Sequence, residues 1–210
     1  MLSNFPQERD AGIYAIDQIK SMIDHVNVLA KYTRKLTILQ GNHDDRWNKI
    51  IGGSLDPRLK GARGLSLKDQ CFAQGLDKKT EWLIEDMLVR GVELGPFMVK
   101  HGDKQWRGRF GGGKHVCATR LAASMGQSEI FGHFHRAQMF CQTNHERGNT
   151  IVIANPCMTG DHGYAFDPNW QRGFTIVEMY GPDNMYATAH LIVVNDGHFA
   201  FAGKVYDGNA

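Results

Sequence analysis

The sequence predicts a mixed α/β fold in one domain, and three observations carry that prediction. Helical periodicity marks the start of the chain, short apolar runs ending in glycine and histidine follow, and the last third is rich in β-forming runs separated by Gly, Pro, Asn and Asp. With 210 residues, of which 42% are hydrophobic and 22% are charged, the chain is long enough to bury a core. We therefore expect a single domain over residues 1–210.

The order of the predicted elements alternates helices and strands before it turns to sheet. Apolar residues recur at three- and four-residue steps between 11 and 33, which predicts an amphipathic helix. A second helix is predicted over 79–90, with Gly91 as its C-cap. The other expected elements are strands at 35–40, 95–103 and 128–135, a helix at 114–126, and four β-rich runs at 149–156, 173–180, 185–194 and 198–206.

Composition and charge exclude several classes of protein. The formal net charge is only +2, from 24 basic and 22 acidic residues, so no global field would drive binding to nucleic acids or membranes. Neither a signal peptide nor a run of 18 apolar residues is present, so we expect no export and no membrane partner. The four cysteines form no C-x-x-C pair, which favours reduced thiols and a cytoplasmic location.

Polar, ligand-capable side chains follow three of the predicted strands. Open α/β sheets place their sites at the carboxyl ends of strands, so residues distant in sequence meet there. Imidazole nitrogens and an amide oxygen suit borderline transition metals such as Mn, Fe, Ni, Co or Zn. His133 and His135 alternate around Phe134, so in an extended segment both imidazoles would point to the same side and serve two neighbouring metals. The residues at these strand ends are Asn42, His43, Asp44, His101, His133 and His135.

Each of these motifs also has an ordinary structural interpretation. G-N-H-D makes a good turn, because Gly and Asn tolerate positive φ, and Asp44 could serve only that turn. A single histidine after a strand is more often a hydrogen-bonded residue than a ligand. Three motifs in this order, each behind an apolar run, favour the metal site.

The ordered motifs resemble a known superfamily. G-N-H-D (41–44), His101-Gly102 and G-H-F-H (132–135) resemble the third, fourth and fifth sequence blocks of the calcineurin-like metallophosphoesterases. NPCMTG (155–160) and YAFDPNWQRGFTIVEM (164–179) resemble the loop and closing strands of forms common in phage and bacterial genomes. The resemblance implies a four-layer αββα sandwich, two divalent metal ions and a phosphomonoester, phosphodiester or DNA substrate.

The resemblance also implies a role for each residue. Asn42, His101 and His133 would hold one metal, and His135 would help to hold the other. His43 would be the protonated imidazole that supplies a proton to the leaving group, and Asp44 the carboxylate that orients it. Two cations about 3.5–4 Å apart activate a bridging water for in-line attack, and a positioned general acid commonly contributes about 10²–10⁴ in rate.

Two blocks of the superfamily pattern are absent from this sequence. The D-x-H and G-D-x-x-D blocks, which supply the first metal's ligands and the bridging aspartate, normally precede a helix like 11–33. We therefore expect a truncated or split member that lacks the first strands of the fold, with its N-terminal piece upstream or on a separate polypeptide, or a start that was misassigned. The expected protein partners are that separate N-terminal fragment or further copies of the chain in a homo-oligomer. The alternative to a phosphoesterase is a catalytically impaired remnant, or one part of a split enzyme, with a binding or assembly role.

Local basic residues are the candidates for substrate contacts. The segment 100–115 concentrates lysines and arginines around Trp106, Phe110 and three glycines, which would suit a phosphate or a nucleic-acid backbone. The alternative interpretation is a solvated loop, or ordinary surface arginines. The candidates are Arg46, Lys104, Arg107 and Arg136.

Overall fold

The computed structural model describes residues 14, 17–25, 36–42, 49, 64–73, 76, 80–83, 91–102, 116–117, 126–146, 148–158 and 169–208. The chain divides into two compact units, Met1–Glu85 and Asp86–Ala210, which are described separately. Both contain strands and helical residues, so the prediction of a mixed α/β protein is confirmed.

The first unit contains a short parallel sheet. Strand β1 (Thr37–Leu39) pairs in parallel with β2 (Glu81–Leu83), and residues 17–25 are helical as predicted. Helix α1 (Leu67–Ala73) contributes Cys71 to a core that also contains Leu76 and Trp82. The indole Nε1 of Trp82 donates a hydrogen bond of 3.2 Å to Oε1 of buried Gln40, so the end of β1 is tied to β2.

Helix α1 begins at a local cap. The backbone N–H of Asp69 donates to the Ser66 hydroxyl at 3.0 Å, and the Gly64 N–H donates to the Asp69 carboxylate at 3.1 Å. The first contact satisfies a donor that the first helical turn cannot satisfy internally, and the second ties Gly64, which precedes the helix, to that turn. The hydrogen bond with the Ser66 side chain is the largest cause that lowers the pKa of Asp69.

The second unit is built on a five-stranded sheet in which the middle strands are parallel. The spatial order is β3-β4-β5-β7-β6. Strands β4, β5 and β7 run parallel to one another, whereas β3 and β6 are antiparallel edge strands. The strands are β3 (Val92–Leu94), β4 (Phe97–Lys100), β5 (Ser128–Phe131), β6 (Gln138–Asn144) and β7 (Gly148–Ala154).

Two β-hairpins complete the second unit. Strand β8 (Gly173–Tyr180) pairs with β9 (Tyr186–Val193) around a 3-10 turn at Pro182–Asn184. Strand β10 (His198–Phe201) pairs with β11 (Lys204–Asp207).

The two faces of the five-stranded sheet are covered differently. On one face, a core of Phe97, Ile130 and Ile153 packs against residues of the β8–β9 hairpin. On the other face, Phe131 packs with the helical residues Val116 and Cys117. Both faces of the sheet are therefore covered by apolar residues, on one side from the β8–β9 hairpin and on the other from the helical residues Val116 and Cys117.

Two sequence-based predictions are wrong in detail. Residues 81–83 lie in strand β2 instead of a helix, because buried Trp82 is held by pairing with β1, which outweighs the helical pattern. The strand predicted over 128–135 ends at Phe131, and His133 and His135 have φ values of 67° and 55°. The segment that carries the two histidines is therefore not extended, and the prediction that an extended strand would point both imidazoles to the same side does not apply.

Within the described residues, no helix is both long and apolar enough to cross a bilayer.

Candidate metal centre

The carboxyl ends of the three parallel strands lie side by side at one edge of the sheet. Lys100 of β4 is paired with Phe131 of β5, and Phe131 with Ala154 of β7. The residues that follow these strands, His101, Gly132 and Asn155, therefore emerge at the same edge, which is where open parallel sheets place their sites.

Two of the predicted metal ligands meet at this edge. The imidazole rings of His101 and His133 lie edge to face, with ring centroids 5.4 Å apart and an interplanar angle of 72°. The Gly132 N–H donates to the Lys100 carbonyl at 3.3 Å, which holds the two strand ends together. Buried Gly102, with a φ of 107°, turns the chain directly after His101, a conformation that side chains rarely adopt.

His133 occupies the centre of a tight three-residue turn. The N–H of Phe134 donates to the carbonyl of Gly132 at 2.8 Å, and the φ of 67° at His133 closes the turn. Positive φ at a residue other than glycine costs on the order of 1–3 kcal/mol and is found preferentially at functional sites. The buried ring of Phe134 packs edge to face on Phe131 at 5.9 Å and anchors the turn in the core.

His135 faces a different neighbour. Its ring contacts the indole of Trp170, with centroids 4.8 Å apart, and its Nδ1 atom is buried. The Gln171 N–H donates to the His135 carbonyl at 2.9 Å, while the Gln171 side chain accepts from the Ala137 N–H at 3.0 Å. The segment 169–171 thus fixes the backbone around His135. Trp170 lies within the sequence motif 164–179, but its contact with His135 was not predicted from the sequence.

Asn155 fixes the third strand end. Its N–H donates to the Phe131 carbonyl at 2.7 Å, and its Oδ1 accepts from the Thr175 hydroxyl at 2.8 Å. Asn155 therefore connects the end of β7 to β5 and to β8. The sequence signal was its position directly after an apolar strand, the same signal that identified the histidines.

A buried ion pair lies in the sheet behind His101. The ammonium of Lys100 is 2.8 Å from the carboxylate of Glu129, and the two side chains are 8% and 2% exposed. Each charge compensates the other where water is excluded, so removal of one partner costs about 3–5 kcal/mol in comparable pairs.

The thiol of Cys117 is a structural group at this edge. It accepts from the Ala154 N–H at 3.2 Å and donates to the Gln138 carbonyl at 3.3 Å, so it links β7 to β6. Burial raises the pKa of Cys117 to about 12. A thiol that stays protonated at neutral pH is a poor nucleophile and a poor metal ligand.

The other predicted site residues fall into two groups. Asn42 follows β1 in the first unit, half-buried and with helical geometry, and Arg136 is half-buried directly after His135. The remaining residues lie outside the described part of the chain: His43, Asp44, Arg46, Lys104 and Arg107.

The separation of the His101 and His133 rings bears on whether both could hold one cation. Two imidazoles that bind one cation through nitrogens at about 2.1 Å have ring centres roughly 5 Å apart, close to the observed separation. Among the described residues, no group of three or more His, Cys, Asp or Glu side chains is arranged to hold a metal ion. His135 therefore does not join the pair as a third ligand in this geometry.

Comparisons with protein-family models, curated proteins and solved structures returned no match to the chain.

Proposed function

We propose that this protein is a metal-dependent phosphoesterase that hydrolyses phosphomonoesters or phosphodiesters, with DNA among the candidate substrates. The observation that carries the proposal is the edge-to-face pair of His101 and His133 at the carboxyl edge of three parallel strands. The two residues belong to separate sequence blocks, and the sequence pattern predicts that both bind the same metal.

In this proposal, His101 and His133 hold one divalent cation, which is Mn, Fe, Ni, Co or Zn. The sequence pattern alone adds Asn42 to that cation and assigns His135 to a second one. When bound, such cations supply Lewis acidity toward the phosphoryl oxygens and toward an attacking water. His43 donates the proton to the leaving group and Asp44 orients its imidazole, as the resemblance to calcineurin-like metallophosphoesterases implies.

The layers of the second unit support the fold part of the proposal. The mixed sheet packs against the β8–β9 hairpin on one face and against the helical residues Val116 and Cys117 on the other, which is compatible with part of an αββα sandwich. Among the described basic residues, Arg136 directly follows His135 and is the candidate for a phosphate contact, since a guanidinium binds a phosphate through two parallel hydrogen bonds.

The first experiment tests metal binding. Mn²⁺ binding is measured by calorimetry for the wild type, His101→Ala and His133→Ala, with His145→Ala as the matched control because His145 is an exposed hairpin-turn histidine. We expect each site variant to weaken binding at least tenfold, since a ligand is lost, and the control to match the wild type.

Turnover is then measured with an aryl phosphodiester in excess Mn²⁺. We expect His43→Ala to lower kcat by about 10²–10⁴, as the loss of a general acid does. Wild-type turnover equal to that of His43→Ala, with metal binding intact, would replace the enzyme with a metal-dependent binding protein. Equal Mn²⁺ affinity in all variants would remove the metal centre itself.

A further inference from the structure

The outer edge of β6 is an exposed part of the second unit that the candidate metal centre does not use. Strand β6 ends the five-stranded sheet, and no described strand pairs with its outer side. Its sequence, QMFCQTN, contains no charged residue, proline or glycine. Met139 and Phe140, on opposite faces of the strand, are 41% and 45% exposed. This is a long, uncharged edge with apolar side chains at the surface.

The opposite edge of the same sheet is protected in the usual way. Strand β3 has only three residues, carries the charged Glu93 and is bounded by Gly91 and Gly95. Short length and charge are the features by which native sheets prevent edge-to-edge pairing. Strand β6 has neither feature, so its edge is suited to pairing.

The ladder geometry shows which backbone groups of β6 point away from β7. The Asn155 N–H donates to Phe131 of β5, so the backbone groups of alternate residues 151 and 153 also face β5. Residues 150, 152 and 154 therefore face β6, where they oppose 142, 140 and 138. The N–H and C=O groups that point outward from β6 belong to Met139, Cys141 and Thr143.

We propose that β6 pairs antiparallel with β6 of a second copy of this chain, around a twofold axis at Cys141, its central residue. This register opposes Met139 to Thr143 of the second copy and Cys141 to its own counterpart, so all outward backbone groups face one another. Such a contact is self-complementary and closes as a dimer. Because the strand is uncharged, no like charges oppose each other in the sheet.

Charges at the ends of the strand favour this same register. Arg136 lies two residues before the first residue of β6, and Glu146 lies two residues after the last. The twofold axis at Cys141 brings Arg136 of each copy beside Glu146 of the other, at both ends of the shared sheet. Opposite charges would therefore lie beside each other at both ends of the contact, and a shifted register would separate them.

The oligomeric state tests the proposal directly. Light scattering coupled to size exclusion, in a chelator so that metal plays no part, is expected to give twice the chain mass of 23.6 kDa at high-micromolar concentration. Cys141→Lys places two ammonium groups against each other and is expected to give a monomer. Val205→Lys, at a strand residue 76% exposed, is the matched control and stays dimeric. A wild-type monomer, a Cys141→Lys dimer or an open-ended assembly would overturn the proposal.

The register has its own test. Hydrogen-bonded residues that oppose each other in an antiparallel pair have Cα atoms about 5.5 Å apart, within the range of about 4.4–6.8 Å that a disulfide spans. With diamide, the two Cys141 thiols give up two hydrogens to the oxidant, which becomes the hydrazine, and a disulfide forms. We expect the cross-linked dimer in the wild type and in Cys157→Ser, and none in Cys141→Ser. A wild type that does not cross-link, or a cross-link that survives in Cys141→Ser, contradicts the register.

Discussion

At the residue scale, the candidate site depends on a histidine held in an unfavourable backbone conformation. His133 has a φ of 67° at the centre of a hydrogen-bonded three-residue turn, whereas His101, its neighbour in the pair, is not among the described residues with positive φ. The turn directs the His133 ring toward His101 instead of continuing β5. The conformational cost at His133 is therefore tied to the position of its imidazole.

This difference predicts opposite responses to glycine at the two histidines. In the absence of metal, His133→Gly should be more stable than His133→Ala by about 0.5–1 kcal/mol, because glycine adopts positive φ without strain. At position 101 the order should reverse, because glycine there only adds freedom to the unfolded chain. Urea unfolding followed by circular dichroism measures all four variants. A His133→Ala variant as stable as His133→Gly would mean that the turn is not strained.

At the element scale, strands were more predictable than the local structure at their ends. The runs predicted as β-rich correspond to β7 and to β8–β11, because alternating apolar residues report burial on one face directly. Helix α1, β3 and β6 were missed, because seven, three and seven residues of mixed polarity carry no clear period. The wrong helix at 81–83 shows that pairing with β1 can outweigh a helical pattern.

The same reasoning explains what could be predicted of the site. The meeting of His101 and His133 followed from the rule that parallel strands end at a common edge. The γ-turn at His133 and the contact between His135 and Trp170 depend on hydrogen bonds made after the strand ends. No periodicity in the sequence reports such contacts.

Cys117, whose thiol bonds to strands β6 and β7, gives a pH-dependent prediction. The pKa of Cys117 is raised from 9.0 to about 12 by burial, so the folded state keeps its proton where the unfolded state has lost it. The stability that the neutral thiol contributes is fully present below about pH 9 and decreases as pH rises from there toward 12. The free energy of unfolding should therefore fall by up to about 1.4 kcal/mol per pH unit above 9 through this group.

The comparison with Cys117→Ala isolates that contribution. At pH 7.5 the variant should be less stable by about 1–3 kcal/mol, because the Ala154 N–H loses its acceptor. The difference in the free energy of unfolding between wild type and Cys117→Ala should narrow as the pH rises above 9, because only the wild type carries the Cys117 thiol. A gap that stays constant to pH 11 would mean that the Cys117 thiol ionises normally.

At the scale of the whole molecule, the second unit carries two separate surfaces for which we propose a role. The carboxyl edge of β4, β5 and β7 carries the histidine pair, and the outer edge of β6 carries the proposed self-association. The two surfaces are connected through β7, whose end at Ala154 lies beside β5 on one side and Gln138 of β6 on the other, and through residues 134–137, which lead from His133 into β6. Substitutions on β6 should therefore change the oligomeric state without removing the metal ligands.

The proposal that His101 and His133 hold one cation is tested most directly by counting the imidazoles on the bound metal. Pulsed electron paramagnetic resonance of the stoichiometric Mn²⁺ complex detects the nitrogens of coordinated histidines, and His145→Ala serves as the control. The account predicts nitrogen coupling from both His101 and His133, with one contribution lost in His101→Ala and the other lost in His133→Ala. A wild-type spectrum without coordinated nitrogen, or one that neither substitution changes, would contradict it.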